Sequence, residues 1–136
     1  MVSDAFNAGR VDVLGLPGEV AAFGEVKPEP DVPNLEKALA LAERTKPDLA
    51  VGFGGGSAMY FAKLVAVLPG RGQTTADVAG PEKVNGRVVA LAQAATTSGT
   101  GSEAGTRASV TDPAARNKLA VQSRHMLADL AAVDPT

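Results

Sequence analysis

Apolar positions along the chain change spacing several times, and the changes divide it into elements. Leu35, Ala38, Leu39 and Ala42 recur at i, i+3, i+4 and i+7, which predicts a helix from Asp31 to about Thr45. Asp31 supplies the N-cap, Pro33 is tolerated in the first turn, and Pro47 disfavours helical geometry at Lys46. Residues 49–53 form a short apolar run, glycines follow at 54–56, and Ala58 to Leu68 is almost wholly apolar before Pro69-Gly70. That order predicts a buried strand, a tight turn and a buried helix. Residues 87–95 carry Val88-Val89-Ala90-Leu91-Ala92 and predict a second buried strand. Residues 106–110 and 118–123 alternate loosely around Thr111-Asp112-Pro113-Ala114-Ala115, which predicts a hairpin, and residues 130–133 predict a last strand. Earlier in the chain, residues 19–26 predict a short strand that ends at Pro28 and Pro30. Residues 4–18, broken by Asn7, Gly9, Gly15, Pro17 and Gly18, predict loop with one helical turn, and the polar stretch 71–86 has room for a short helix at 75–78. Strands alternating with helices make the expected fold α/β, a Rossmann-like parallel sheet with an added β-hairpin.

Composition narrows the classes without choosing among them. A chain of 136 residues is one domain's worth, able to bury roughly two-thirds of its unfolded surface. At 45% hydrophobic and 21% charged it is ordinary for a globular protein, and with aromatics at 4% its core must come from Ala, Val and Leu. A net charge of -2 without a Lys/Arg cluster gives no footprint for nucleic acid. The absence of cysteine removes disulfides, thiolate metal sites and a cysteine nucleophile. No signal peptide, transit sequence or membrane-length apolar run stands in the chain, so the expected setting is cytoplasmic, with no membrane partner.

Two stretches carry candidate chemistry. In Gly54-Gly55-Gly56-Ser57 glycines let the backbone approach an anion, the following helix offers unpaired N–H donors and the positive end of its dipole, and Ser57 can cap the helix or donate to a phosphate. Neither the dinucleotide fingerprint nor the P-loop pattern is matched: a serine stands where the fingerprint needs its third glycine, and Lys63 comes a turn too late for the P-loop. A glycine turn that serves packing alone stays open on these residues. The second stretch is Thr96-Thr97-Ser98-Gly99-Thr100-Gly101-Ser102-Glu103, hydroxyls and glycines delivered by a predicted buried strand, where ligands of open α/β sheets bind.

Taken with Ala62-Lys63, Thr111-Asp112, Lys118 and the closing Asp129-Leu130-Ala131-Ala132-Val133-Asp134-Pro135, these two stretches resemble the nucleotide-binding half of the iron-containing (group III) alcohol dehydrogenases. Pro28-Glu29-Pro30 is similar to that family's Pro-Asn-Pro. The resemblance runs from about Glu19 onward and implies a dehydroquinate synthase-like N-terminal domain, truncated, spanning 1–136 as an NAD(P)-binding unit. It implies that Gly55, Gly56 and Ser57 hold the pyrophosphate of NAD or NADP. It further implies that Thr96, Thr97, Ser98, Gly99, Thr100 and Gly101 line the phosphate and nicotinamide region, and that Lys118 reaches a ribose hydroxyl. Asp4, in Val2-Ser3-Asp4, is similar to the acid at the end of the family's first strand, which binds the adenosine ribose and favours NAD.

The departures bear on activity. Tyr60 stands where the family has an Asp, and residues 5–18 are shorter than the family's first helix and its connection. The family's metal, iron or zinc, is held by an Asp and three His of a helical domain, and the chain stops at Thr136 before any of them. Its one histidine, His125, cannot make a His-rich cluster. No Gly-x-Ser-x-Gly supports a hydrolase, and a Glu103–Asp112 carboxylate pair competes with solvated turn positions. Since the metal polarises the alcohol in this family, the expectation is a cofactor-binding half, inactive unless a second domain supplies the metal and the pocket for a small alcohol or aldehyde. The alternatives are a non-catalytic nucleotide-binding or interaction module, and a lyase similar to dehydroquinate synthase, against which the run 96–103 speaks. A nucleotide domain separated from its partner also exposes an apolar face, which leaves homo-oligomerisation open.

Overall fold

The computed structural model describes residues 1–135. Its elements in chain order are β1 (Val2–Ser3), α1 (Ala5–Ala8), α2 (Val32–Thr45), β2 (Leu49–Gly54), α3 (Gly56–Val67), α4 (Thr75–Val78), β3 (Gly80–Pro81), β4 (Ala90–Ala95), β5 (Arg107–Asp112), β6 (Asn117–Gln122) and β7 (Leu130–Val133). Single 3-10 turns at Val11–Leu14, Ser102–Ala104 and Arg124–Met126 join them. Four strands make a wholly parallel sheet in the order β1-β2-β4-β7. The predicted hairpin is β5 and β6, and it stands in its own three-stranded sheet, order β3-β6-β5. Its four-residue loop is held by the Asp112 carboxylate, which accepts the N–H groups of Ala114 and Ala115 at 3.0 and 3.2 Å.

Each main helix forms for a different reason. On α2 the Asp31 carboxylate caps the first turn by accepting the Asn34 N–H at 2.8 Å, and Leu35, Ala38 and Ala42 turn one stripe inward. The helix ends where Lys46 turns into the left-handed region at φ 46, one residue before Pro47. By contrast α3 is buried nearly all round, because it lies between the two sheets and packs on β2, β4 and β5 together. Phe61, Ala62, Leu64, Ala66 and Val67 have no exposed surface at all, and burying a side chain such as Phe61 or Leu64 contributes about 2–3 kcal/mol. The core thus sits around α3, with Leu35 of α2, Leu91 of β4, Val121 of β6 and Met126 closing it.

Three expectations are corrected. Residues 19–26 make no ladder: Phe23 bridges Val2 and the neighbouring bonds run to Met1 and Ser3, because β1 offers only two residues to pair with. The apolar run 87–95 is strand only from Ala90, since the N–H groups of Val88 and Val89 both go to the Ala66 carbonyl at the end of α3. The helix after the glycine turn starts at Gly56, so Ser57 lies inside it and the N-cap is Gly55. The Asp112 carboxylate serves its own turn, in line with the turn-position alternative to a Glu103–Asp112 pair.

Candidate functional site

The carboxyl ends of β1, β2 and β4 bring three loops together. Gly54, at the end of β2, has φ +147, a conformation that side chains rarely adopt, and a Cβ there would stand 2.9 Å from the Asp4 carboxylate and 3.2 Å from Ala58. The glycine therefore lets Asp4 at the end of β1 and the first turn of α3 close on the turn. Asp4 follows β1 and caps α1: its carboxylate accepts the Asn7 N–H at 2.9 Å and the Asn7 side-chain amide at 3.1 and 2.9 Å. From β4 the chain enters the hydroxyl loop, fastened at once by the Thr96 N–H donating to the Gly54 carbonyl at 3.0 Å.

Gly55 and Gly56 face that loop. A Cβ on Gly55 would stand 3.5 Å from the Thr97 hydroxyl oxygen, and one on Gly56 would stand 3.4 Å from Thr100 Oγ1 and 3.6 Å from Ser102 Oγ. The hydroxyls of Thr100 and Ser102 are 2.7 Å apart. No side chain caps α3, so its first-turn N–H groups lack partners within the helix and carry the positive end of its dipole. Backbone donors of the glycine turn and hydroxyls of the loop thus face each other at van der Waals distance and form a cradle of donors.

The remaining candidates sit around it. Ser98 and Gly99 are exposed, and Gly101 holds the loop in the left-handed region at φ +66. The Ser57 hydroxyl donates to the Pro28 carbonyl at 3.0 Å, while Thr111 on the hairpin donates its N–H to the Pro30 carbonyl at 2.9 Å. Residues 28–30 are thereby pinned between the start of α3 and the end of β5. Lys118 lies across from Thr111 on β6, exposed, and no hydrogen bond joins it to the glycine turn. His125 is half-buried in a 3-10 turn, its N–H on the Ser123 hydroxyl. Among the described residues no group of three or more His, Cys, Asp or Glu could hold a metal ion, and no helix is long and apolar enough to cross a membrane.

Asn7, Lys63 and Ser102 complete this end of the molecule without having been singled out as site residues. Asn7 was signalled by Asp-x-x-Asn spacing, which lets an N-cap carboxylate meet a side chain one turn on. Ser102 is buried at 5% exposure, and only the two-residue step from Thr100 hinted at its contact. Nothing in the sequence marks Gln93, whose amide donates to the Met59 carbonyl at 3.1 Å above Gly52 while its oxygen is buried without a partner.

The glycines and hydroxyls gather at the carboxyl end of a parallel α/β sheet, where ligands of open α/β sheets bind. The chain belongs to the iron-containing alcohol dehydrogenase family, whose model matches residues 12–135. It is 40% identical over 119 residues to long-chain-alcohol dehydrogenase 1 of Geobacillus thermodenitrificans (strain NG80-2), covering 85% of this chain and 30% of that protein. Among solved structures it superposes on 1,3-propanediol oxidoreductase with a TM-score of 0.87 at 26% identity, covering 98% of this chain and 37% of the other. The sulfoacetaldehyde reductase of Bifidobacterium kashiwanohense, solved in complex with NAD+, gives 0.85 at 26% identity, covering 99% of this chain and 38% of the other. The chain thus spans about a third of the length of the relatives it matches.

Proposed function

We propose that residues 1–136 are the NAD(P)-binding part of an oxidoreductase that interconverts an alcohol and an aldehyde or ketone by hydride transfer. The observation that carries this reading is the close facing of the uncapped start of α3 and the Thr100–Ser102 hydroxyl pair across Gly56. A dinucleotide's pyrophosphate needs oriented N–H and O–H donors in a place its oxygens can reach, and this cradle offers them. The uncapped N–H groups of α3 and the Thr97, Thr100 and Ser102 hydroxyls facing them are a donor set that fits the group.

In this reading Gly55, Gly56 and Ser57 hold the pyrophosphate through their backbone, with Thr97 and Thr100 adding hydroxyls. Thr96, Ser98, Gly99 and Gly101 shape the loop toward the nicotinamide, and Lys118 and Asp4 serve the ribose ends. Asn7 orients the Asp4 carboxylate at the end of β1, its amide spread over both carboxylate oxygens. The bound cofactor supplies the hydride acceptor. The described residues do not fit the iron of the family's name, so no step through a metal is assigned to them. In this reading the metal ligands and the substrate pocket for alcohol oxidation come from a second domain, as the chain's span of about 30% of its relative allows.

Equilibrium titration with NAD and with NADP tests the reading, beside a Gly56→Val variant checked for folding by circular dichroism. Saturable binding is expected in the parent and a loss of about tenfold or more in the variant. A well-folded parent that binds neither nucleotide would overturn the proposal.

A further inference from the structure

Lys63 is the only charged side chain among the described residues that is fully buried. It sits on α3 two turns beyond the glycine turn. Its Nζ donates to the Arg107 carbonyl at 2.9 Å, lies 5.7 Å from the centre of the Tyr60 ring, and is 3.7 Å from where a Cβ on Gly105 would stand. Arg107 begins β5, immediately after the hydroxyl loop and its 3-10 turn. The loop is therefore fastened to the glycine-turn unit at both ends, through Thr96 at its entry and through Lys63 at its exit, while a Cβ on Gly99 or Gly101 would meet nothing within 4 Å.

We propose that Lys63 is a positioning residue that clamps the exit of the hydroxyl loop onto α3 and so holds Thr100 and Ser102 at their spacing from Gly56. Its effect on cofactor affinity rests on the dinucleotide reading; the clamp itself does not. Burial pushes the Lys63 ammonium down to about 8, with Glu103 on the 3-10 turn pulling the other way. Of the other charged groups nearby, Arg107 offers its carbonyl, Tyr60 its ring, and Arg124 and His125 lie on a turn packed against α3 without a charge interaction at Lys63. The unfolded chain keeps that proton up to the ordinary 10.5, so this group raises global stability as pH climbs from about 8 to 10.5. Freeing Nζ from the Arg107 carbonyl returns it to water and toward its ordinary value, so by the same linkage the clamp closes more tightly over this range, and the effect must vanish without Lys63.

The experiment is residue-resolved amide exchange by NMR on the full chain at pH 7 and pH 9, corrected for intrinsic rates, for the parent, Lys63→Met and Tyr60→Asp, with NAD titrated into each. The reporters are Ala104 and Gly105, whose N–H groups donate to Gly101 and Ser102 at 3.1 and 3.3 Å. Exchange there is expected to rise about tenfold in Lys63→Met, and in the parent to fall about tenfold on going to pH 9, a fall absent from Lys63→Met, with the α2 amides as the control. Tyr60→Asp, which sets a carboxylate one turn from Lys63, should leave the loop's exchange alike at the two pH values. Unchanged exchange at Ala104 and Gly105 in a folded Lys63→Met would overturn the clamp. Should that variant not fold, equal loop protection in the parent at both pH values overturns it. A parent that binds no NAD yet shows the Lys63-dependent tightening would remove the dinucleotide reading and leave the clamp standing.

Discussion

The two ends of the four-stranded sheet are served by the same helices and differ in almost everything else. At the carboxyl end α2 and α3 begin, so N–H donors and positive dipole ends meet the glycine turn, the Thr100–Ser102 pair and Asp4. At the amino end the same helices finish, and a groove of about 800 Å³ opens between Ala42, Val65, Val88, Val89 and Ala90, with Lys46, Arg87 and Asp129 at its rim. This hollow lies at the end with fewer converging donors. It is bounded by apolar surface that none of the described residues covers, whereas the glycine-turn end is defined by where donors point.

Glycines offer the sharpest way to break the comparison, because both ends have glycines in the left-handed half of backbone space. Gly54→Ala combines a disfavoured φ of +147 with contacts at 2.9 and 3.2 Å, and should cost about 2–3 kcal/mol. Gly70→Ala, past the end of α3, meets only its φ of +69 with nothing within 4 Å, and should cost about 1 kcal/mol. Urea unfolding of both variants decides it. Equal losses would mean that the close approach of Asp4 and Ala58 contributes nothing.

A smaller effect is expected at the cap of α2, again on the carboxyl side. The Asn34 N–H, then Lys27, holds the Asp31 carboxyl below its usual range. Asp31→Ala should cost about 1 kcal/mol. A folded-state value below the unfolded one means this contribution is complete above about pH 4 and is lost as pH falls through the folded value. Thermal unfolding at pH 7 and in acid checks both statements; a difference between variant and parent that persisted undiminished in acid would contradict the second.

How much of this was legible follows from where the determining contacts lie in the chain. The helix over Asp31 to Thr45, the glycine turn and the hairpin are set by neighbours within a few residues: a cap, a proline, a period. The parallel order of β1, β2, β4 and β7 needs partners 38 to 50 positions apart, and only the alternation of strand and helix hinted at it. Errors fell where tertiary contact overrides local pattern. Val88 and Val89 look like strand and instead hand their N–H groups to the end of α3, and residues 19–26 lack a partner long enough to pair with. In the site, Gly54 to Ser57 and Thr96 to Gly101 could be named from composition and resemblance. Their facing across Gly56 could not, nor could the roles of Asn7 and Lys63, which depend on side chains meeting across loops.

The smallest expected effect belongs to the amino end and tests whether the two ends are independent. Asp129 precedes β7 and its carboxylate accepts the Leu91 N–H at 3.0 Å and the Arg87 guanidinium, so it joins the starts of β4 and β7. The Leu91 N–H first, then Arg87, holds that carboxyl below its ordinary value. Its stabilising contribution is therefore present at neutral pH and disappears as pH falls through the folded value, the unfolded value lying above it. Asp129→Asn keeps the shape and one acceptor oxygen while removing the charge, and exposed ion pairs contribute little. A slight lowering of the melting temperature at pH 7, shrinking toward zero in acid, is expected. Affinity for NAD should be unchanged, because nothing at the rim of the apolar groove touches the glycine turn or the hydroxyl loop. A variant that melted normally but bound NAD more weakly would show that the sheet couples its two ends, and the division between a donor-lined end and an apolar one would no longer describe how this domain works.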